Sequence, residues 1–282
     1  MRLSLWQAAP RAPGETLERV VDRLAGAARE ARAAAADLLV APEMMLSGYA
    51  IGAEAMGRRA DEALAEGWEA VAALARETGI ALAVGGPDRG GGAVGGAAGG
   101  PAGAVLNTAR LYAADGTLAA AYAKAHLFGD LDRAQFAAGD RLGVTGAIGA
   151  TRCGLAICYD IEFPEAARAL VAAGADAMLV PTANMEPYDS VNTRLVPARA
   201  EENTTPVVYA NYAGREADLT YCGLSCIVGP TGEDLARAGR TGEAVITATL
   251  DPAATAAARA RITYLADRRP ALYRTQGGAN GA

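Results

Sequence analysis

The chain has 282 residues, with 32 acidic and 26 Lys or Arg side chains and a net charge of −6. That acidic balance, without any basic cluster, argues against a nucleic-acid partner or an anionic membrane surface. Four cysteines are too few for a disulfide scaffold, and a single histidine, His126, argues against His-based zinc sites and leaves one candidate for any Ser-His or Cys-His catalyst.

Strands and helices are expected to alternate from the first residue. RLSLWQ reads as a short strand. Leu17, Val20, Val21, Leu24 and Ala28 recur at helical spacing between Thr16 and Ala35. ADLLVAPE is a short apolar run ended by proline and a carboxylate. A second helix is predicted over roughly Asp61 to Thr78, stopping at Gly79, and IALAVGGP is the next buried strand. This order predicts an α/β fold whose central strands are covered by helices.

Residues 88–103, DRGGGAVGGAAGGPAG, contain Gly90, Gly92 and Gly95 in a G-x-G-x-x-G spacing. So glycine-rich a tract matches by chance, and no amphipathic helix follows it, so a flexible hairpin tip is expected rather than a dinucleotide loop. AVLNTARLYAADGTLAAAYAKAHL reads as two strands joined at Asp115-Gly116. TRCGLAICYD reads as strand and elbow, and PEAARALVAAG as a helix with Pro164 at its start and Gly174 beyond its end. ADAMLVPTAN, PVVYANYA, LSCIVGPTGE and EAVITATLD supply further strands, with a helix through Ala198 to Asn203. One domain is expected over residues 1–275, with a disordered tail at 276–282. MRLSLWQAAP lacks the uninterrupted apolar region of a signal peptide, and the uncharged stretch from Gly90 to Ala109 is too rich in glycine to span a bilayer. The chain therefore reads as soluble and cytoplasmic, with no membrane partner.

Glu43, Lys124 and Cys158 each follow a predicted strand. In α/β folds ligands bind beyond the carboxyl ends of strands, where residues distant in sequence converge. A carboxylate, an ammonium and a thiol are the parts for acyl transfer without histidine. Taken singly, each also fits a helix cap, a solvated strand end or a small buried hydrophobe.

The motifs APEMMLSGY, YAKAHLFGD and GLAICYDIEFPEAARAL, with PTAN at 181–184, ARAEEN at 198–203 and DRRPALY, together resemble the nitrilase, or carbon–nitrogen hydrolase, superfamily. The likeness runs to Tyr273. It implies a four-layer α-β-β-α sandwich, pairing of two copies into a homodimer or larger assembly, and a Glu-Lys-Cys triad carried by Glu43, Lys124 and Cys158. It implies a second carboxylate eight residues after the lysine, where a glutamate is usual and this chain has the shorter Asp132. It implies no metal and no organic cofactor.

On that resemblance, Glu43 acts as base to Cys158, and Lys124 with the Tyr159 backbone N–H binds the oxyanion. The elbow before Pro164 is expected to favour the Cys158 thiolate through backbone N–H groups and a helix dipole. Asn184 is expected to line the pocket or to form a turn, and His126 to support the site by hydrogen bonding. Arg199, Glu202 and Asn203 are expected to stabilise the helix after the pocket. Cys222 and Cys226 lack further ligands for a zinc site. The CYDIEFPE form points to an amidase acting on a small carboxamide, with a nitrilase or an N-carbamoyl-amine hydrolase as alternatives. A catalytically silent binding protein of the same fold is the rival from another class, and the presence of all three triad residues argues against it.

Overall fold

The computed structural model describes residues 1–91 and 100–273. In chain order the strands are β1 (Arg2–Gln7), β2 (Leu38–Val40), β3 (Ala81–Arg89), β4 (Val105–Tyr112), β5 (Leu118–Ala123), β6 (Thr145–Ile148) and β7 (Thr151–Leu155). They continue as β8 (Ala177–Pro181), β9 (Val207–Ala210), β10 (Ala213–Glu216), β11 (Leu219–Cys222), β12 (Cys226–Val228), β13 (Asp234–Arg237) and β14 (Ala244–Thr249). The first large sheet has the order β14-β1-β2-β3-β4-β5 and the second β13-β12-β9-β8-β7-β6. Each has three parallel strands inside it, β1-β2-β3 and β7-β8-β9, with antiparallel neighbours on both sides.

Strand periodicity explains the layers. Leu38 and Val40 of β2 point into the core between the sheets, together with Leu3, Leu5, Leu155, Leu179 and Val208. Leu39 points the other way, against a helix layer. The same alternation recurs in β8, where Ala177 and Leu179 face the opposing sheet and Met178 and Val180 face helices. Both faces of these strands are thus apolar, and each fully buried aliphatic side chain contributes roughly 1.5–3 kcal/mol. The result is the α-β-β-α sandwich.

Helix α1 (Leu17–Ala33) begins at Thr16, whose side chain accepts the Arg19 N–H, and buries Val20, Leu24, Ala28 and Ala31 on the first sheet. The second helical segment is longer than the sequence suggests. It starts as α2 (Ala53–Glu62), passes through a π turn at 63–67 and ends as α3 (Trp68–Thr78), with Gly79 left-handed at φ 63°. Residues 53–62 bury only Met56 and Ala60 and are much more polar than α3, so few core-facing positions mark them as helix. Helix α4 (Gly129–Gln135) is short. Helices α5 (Pro164–Ala172) and α6 (Val196–Asn203) cover the outer face of the second sheet through Leu170, Val196 and Ala200.

Strands β3 and β4, on either side of the glycine tract, pair antiparallel up to Arg89 and Val105. Gly92 and Gly95 lie outside the described residues, as does the tail at 276–282 that the sequence marks as disordered. Among the described residues no helix is long and apolar enough to cross a membrane.

Candidate active site

The parallel strands end where the chemistry gathers. After β2, Pro42 and Glu43 turn across β3, and the Glu43 N–H donates to Thr182 O of the second sheet at 3.3 Å. The approach requires glycine at position 85, where a Cβ would lie 2.6 Å from Glu43 Cα. Lys124 leaves β5 with its N–H on Asn107 O of β4 at 2.9 Å. Cys158 opens a 3₁₀ turn (Cys158–Glu162) beyond β7 and holds a left-handed φ of 46°, a strained conformation for a residue with a Cβ.

Asp160 fixes that turn. Its Oδ2 accepts the Ile157 N–H at 3.1 Å and the Tyr122 hydroxyl at 2.8 Å, and its Oδ1 accepts the His126 N–H at 2.9 Å. His126 Nδ1 lies 2.7 Å from the same oxygen, and the ring stacks on Phe163 at 4.0 Å. His126 therefore supports the turn that carries Cys158, in keeping with the hydrogen-bonding role expected for it.

Lys124 joins two buried carboxylates. Its Nζ donates to Glu43 Oε1 at 2.8 Å and to Asp132 Oδ2 at 2.7 Å, with all three side chains fully enclosed. Asn107 Nδ2 donates to the same Glu43 Oε1 at 2.7 Å. Asp132 also takes the Tyr49 hydroxyl on Oδ1 at 2.7 Å and the Phe128 N–H on Oδ2 at 2.8 Å. The shorter carboxylate reaches Lys124 because α4 winds back immediately after the lysine. Glu43 Oε2, by contrast, is buried without a partner.

Burial pushes the Glu43 carboxyl above its ordinary range, and Asp132 adds to the rise, against the opposing pull of Lys124. Burial on its own draws the Lys124 ammonium down, but Glu43, Tyr49 and Asp132 outweigh it and hold the charge. Burial and the Glu43 charge push the Cys158 thiol well up, against the opposing effects of Lys124, the Thr182 hydroxyl and the Ala183 backbone. Against the expectation that the turn favours the thiolate, burial and the Glu43 charge favour the neutral thiol. The sulfur needs a base, and an unpaired carboxylate oxygen is the group equipped to serve as one.

Among the described residues the Tyr159 N–H meets no backbone acceptor outside its own 3₁₀ turn. Asn184 makes the turn that is one of the two expectations for it. Its amide nitrogen donates to Tyr188 O at 3.0 Å and to Asn192 Oδ1 at 2.6 Å, so its donors are spent on a turn. Arg199 does more than stabilise its own helix, since it donates to Ile161 O at 3.0 Å and to Glu162 O at 2.7 Å, clamping the Cys158 turn. Cys222 Sγ lies 3.3 Å from Asn184 O, and among the described residues no group of three His, Cys, Asp or Glu side chains could hold a metal. Asn107 and Tyr49 have no place in the sequence reading of the site. The signal for Asn107 was present: an asparagine inside an apolar strand is disfavoured unless its amide finds a partner.

The family model for carbon-nitrogen hydrolases matches residues 2–260. A Pseudomonas protegens protein named "Hydrolase in pqqF 5'region" is 44% identical over 273 residues, covering 97% of this chain and 90% of its own length. An (R)-stereoselective amidase from a Pseudomonas species is 34% identical, with 95% of this chain and 92% of that protein covered. The fold is similar to that of the amidase from Nesterenkonia sp. AN1, seen as a double mutant in complex with acrylamide. The TM-score is 0.82 at 32% identity, covering 97% of this chain and 96% of that one. In another structure of that amidase, at a TM-score of 0.80 and 32% identity over 97% of this chain and 98% of that one, acrylamide has added to the active-site cysteine. Alike in sequence over nearly its whole length and alike in fold, the chain belongs to the carbon-nitrogen hydrolase family, the hydrolytic enzymes of the nitrilase superfamily.

Proposed function

We propose that the enzyme is an amidase that hydrolyses a small aliphatic or amino-acid-like carboxamide to a carboxylic acid and ammonia through a thioester on Cys158. The observation that carries this reading is the division of labour on Glu43: Oε1 accepts from Lys124 and Asn107, and Oε2 is left free to move a proton. Glu43 Oε2 takes the thiol proton as Cys158 Sγ attacks the amide carbon. Lys124 has three N–H donors, of which two serve Glu43 and Asp132, and the third with the Tyr159 N–H receives the oxyanion. Each oxyanion donor supplies about 3 kcal/mol of barrier lowering when well aimed. Glu43 returns the proton to the nitrogen, ammonia leaves and the acyl group stays on sulfur. A water then loses a proton to Glu43 and attacks the thioester, releasing the acid and restoring the thiol.

The near closure of the site, with Cys158 only 8% exposed, supports a small substrate. The (R)-stereoselective amidase and the acrylamide adduct on the Nesterenkonia enzyme support an amide and a cysteine nucleophile. An ammonia-release screen over primary amides, nitriles and N-carbamoyl amines tests the reading. Turnover is expected to be greatest with primary amides and to be lost in Cys158→Ala. Release confined to nitriles or N-carbamoyl amines would overturn it.

A further inference from the structure

Two buried hydroxyls, Thr182 Oγ1 and Tyr209 Oη, complete no hydrogen bond among the described residues. Both side chains are wholly enclosed. A hydroxyl left unsatisfied in a protein interior is costly, and two in one place point to a use outside the resting fold.

Strand register brings both to the nucleophile. Strand β8 carries on past Pro181, with the Thr182 N–H on Ala210 O of β9 at 2.8 Å. Alternation puts Thr182 on the face of Met178 and Val180, and Tyr209, which pairs with Val180, packs on that same face. On the other side of β8, Leu155 of β7 pairs with Leu179, so three residues further on the same register sets Cys158 beside Thr182. Ala156 packs with Val180 and Tyr209 on the way. Thr182 is thus flanked by the nucleophile and by Tyr209, and its own carbonyl takes the Glu43 N–H at 3.3 Å. The Thr182 hydroxyl favours the Cys158 thiolate, and the Cys158 charge is felt at Tyr209. Burial and that charge hold the Tyr209 proton well above its ordinary range, which makes Tyr209 a permanent donor. A threonine hydroxyl can accept one hydrogen bond while donating another.

We propose that Thr182 is a further catalytic residue, donating its O–H to Cys158 Sγ as negative charge develops there. Tyr209 is the positioning residue that donates to Thr182 Oγ1. The proposal rests on the amidase reading for its nucleophile, Cys158. Neither hydroxyl loses its proton: the thiol proton passes to Glu43 Oε2, the sulfur takes the charge, and the two O–H groups turn toward it. A neutral thiol accepts poorly and a thiolate accepts strongly, so the contact strengthens as the charge forms. It stabilises the attacking thiolate and, in deacylation, the sulfur that leaves the tetrahedral intermediate.

The test is the pH dependence of Cys158 modification by methyl methanethiosulfonate, a small thiolate-selective reagent that is not an amide, read by peptide mass spectrometry. Thr182→Val is close in shape and lacks the hydroxyl. It is expected to move the midpoint of the rate up by about 1 pH unit, and so to slow modification ~10-fold below the midpoint. Tyr209→Phe is expected to move the midpoint the same way by less. The double variant is expected to go no further than Thr182→Val, because Tyr209 acts through Thr182. Thr182→Ser is expected to keep the wild-type midpoint. Removal of an unsatisfied hydroxyl is expected to leave Tm unchanged or raised, which separates lost reactivity from lost structure. If Thr182→Val does not fold, Tyr209→Phe decides. An unchanged midpoint in the deciding variant would overturn the proposal, and wild-type turnover of primary amides would then leave the amidase reading standing. A shifted midpoint in an enzyme that hydrolyses no amide would overturn the amidase reading and leave the two hydroxyls assigned to the sulfur.

Discussion

Glu43, Lys124 and Cys158 were legible in the sequence because each follows a short apolar run, and a strand end is where an α/β fold exposes its chemistry. The partners that tune them were not. Tyr49 and Asp132 are 83 residues apart in sequence, and Asn107 meets Glu43 across 64. Nor does the sequence reveal that Glu162, half-buried beside the donors that Arg199 spends elsewhere, has no hydrogen-bond or ion-pair partner among the described residues. Its burial has a consequence for stability with a definite sign. The folded state holds the Glu162 proton up to about pH 6, whereas an ordinary glutamate releases it near 4.5. Ionisation therefore removes stability as pH rises through that window, and the loss persists above it. Glu162→Gln is expected to raise Tm relative to wild type at pH 8 and to lose that advantage by pH 4. Calorimetry at the two pH values checks this, and a gain equal at both would assign the effect to packing.

Among the elements, helices with a strong apolar stripe were readable, as was the β4–β5 hairpin, where Gly116 takes a φ of 80° and the Thr117 N–H meets the Asp115 side chain. Helix α2 was not, because its exposed, charged sequence offers only Met56 and Ala60 to the core. The β10–β11 hairpin was missed for a related reason: GREAD interrupts the apolar pattern, yet Glu216 in it turns inward to hold the Tyr49 N–H at 2.9 Å. The sharpest dependence between elements runs from α6 to the 3₁₀ turn. Arg199→Ala removes donors from Ile161 O and Glu162 O, and is expected to cost about 3 kcal/mol of stability by chemical denaturation. Because the same turn carries Cys158 and the Tyr159 N–H, kcat is expected to fall as well, by ~10-fold or more. A mutant of unchanged stability would show that the turn holds its shape without the clamp.

At the scale of the molecule, the two sheets contribute unequally to one centre. Glu43 and Lys124 leave strands of the first sheet and Cys158 a strand of the second, and the Glu43 N–H on Thr182 O spans the seam between them. Periodicity established strands covered by helices but gave neither the order of strands nor the facing of the sheets. The facing of the sheets came from the family resemblance and the strand order only from the structure, because the packing of two sheets depends on small inward side chains such as Ala83 and Ala210 that no local pattern distinguishes. The closed site at that seam makes a covalent intermediate the central claim, and it can be weighed directly. The enzyme is mixed with butanamide, quenched in acid within the first turnovers, digested and mapped by mass spectrometry. The predicted result is a butyryl mass on the peptide containing Cys158, removed by hydroxylamine and absent from Cys158→Ala. Turnover of the amide with Cys158 unmodified, or with the acyl group on another residue, would contradict it.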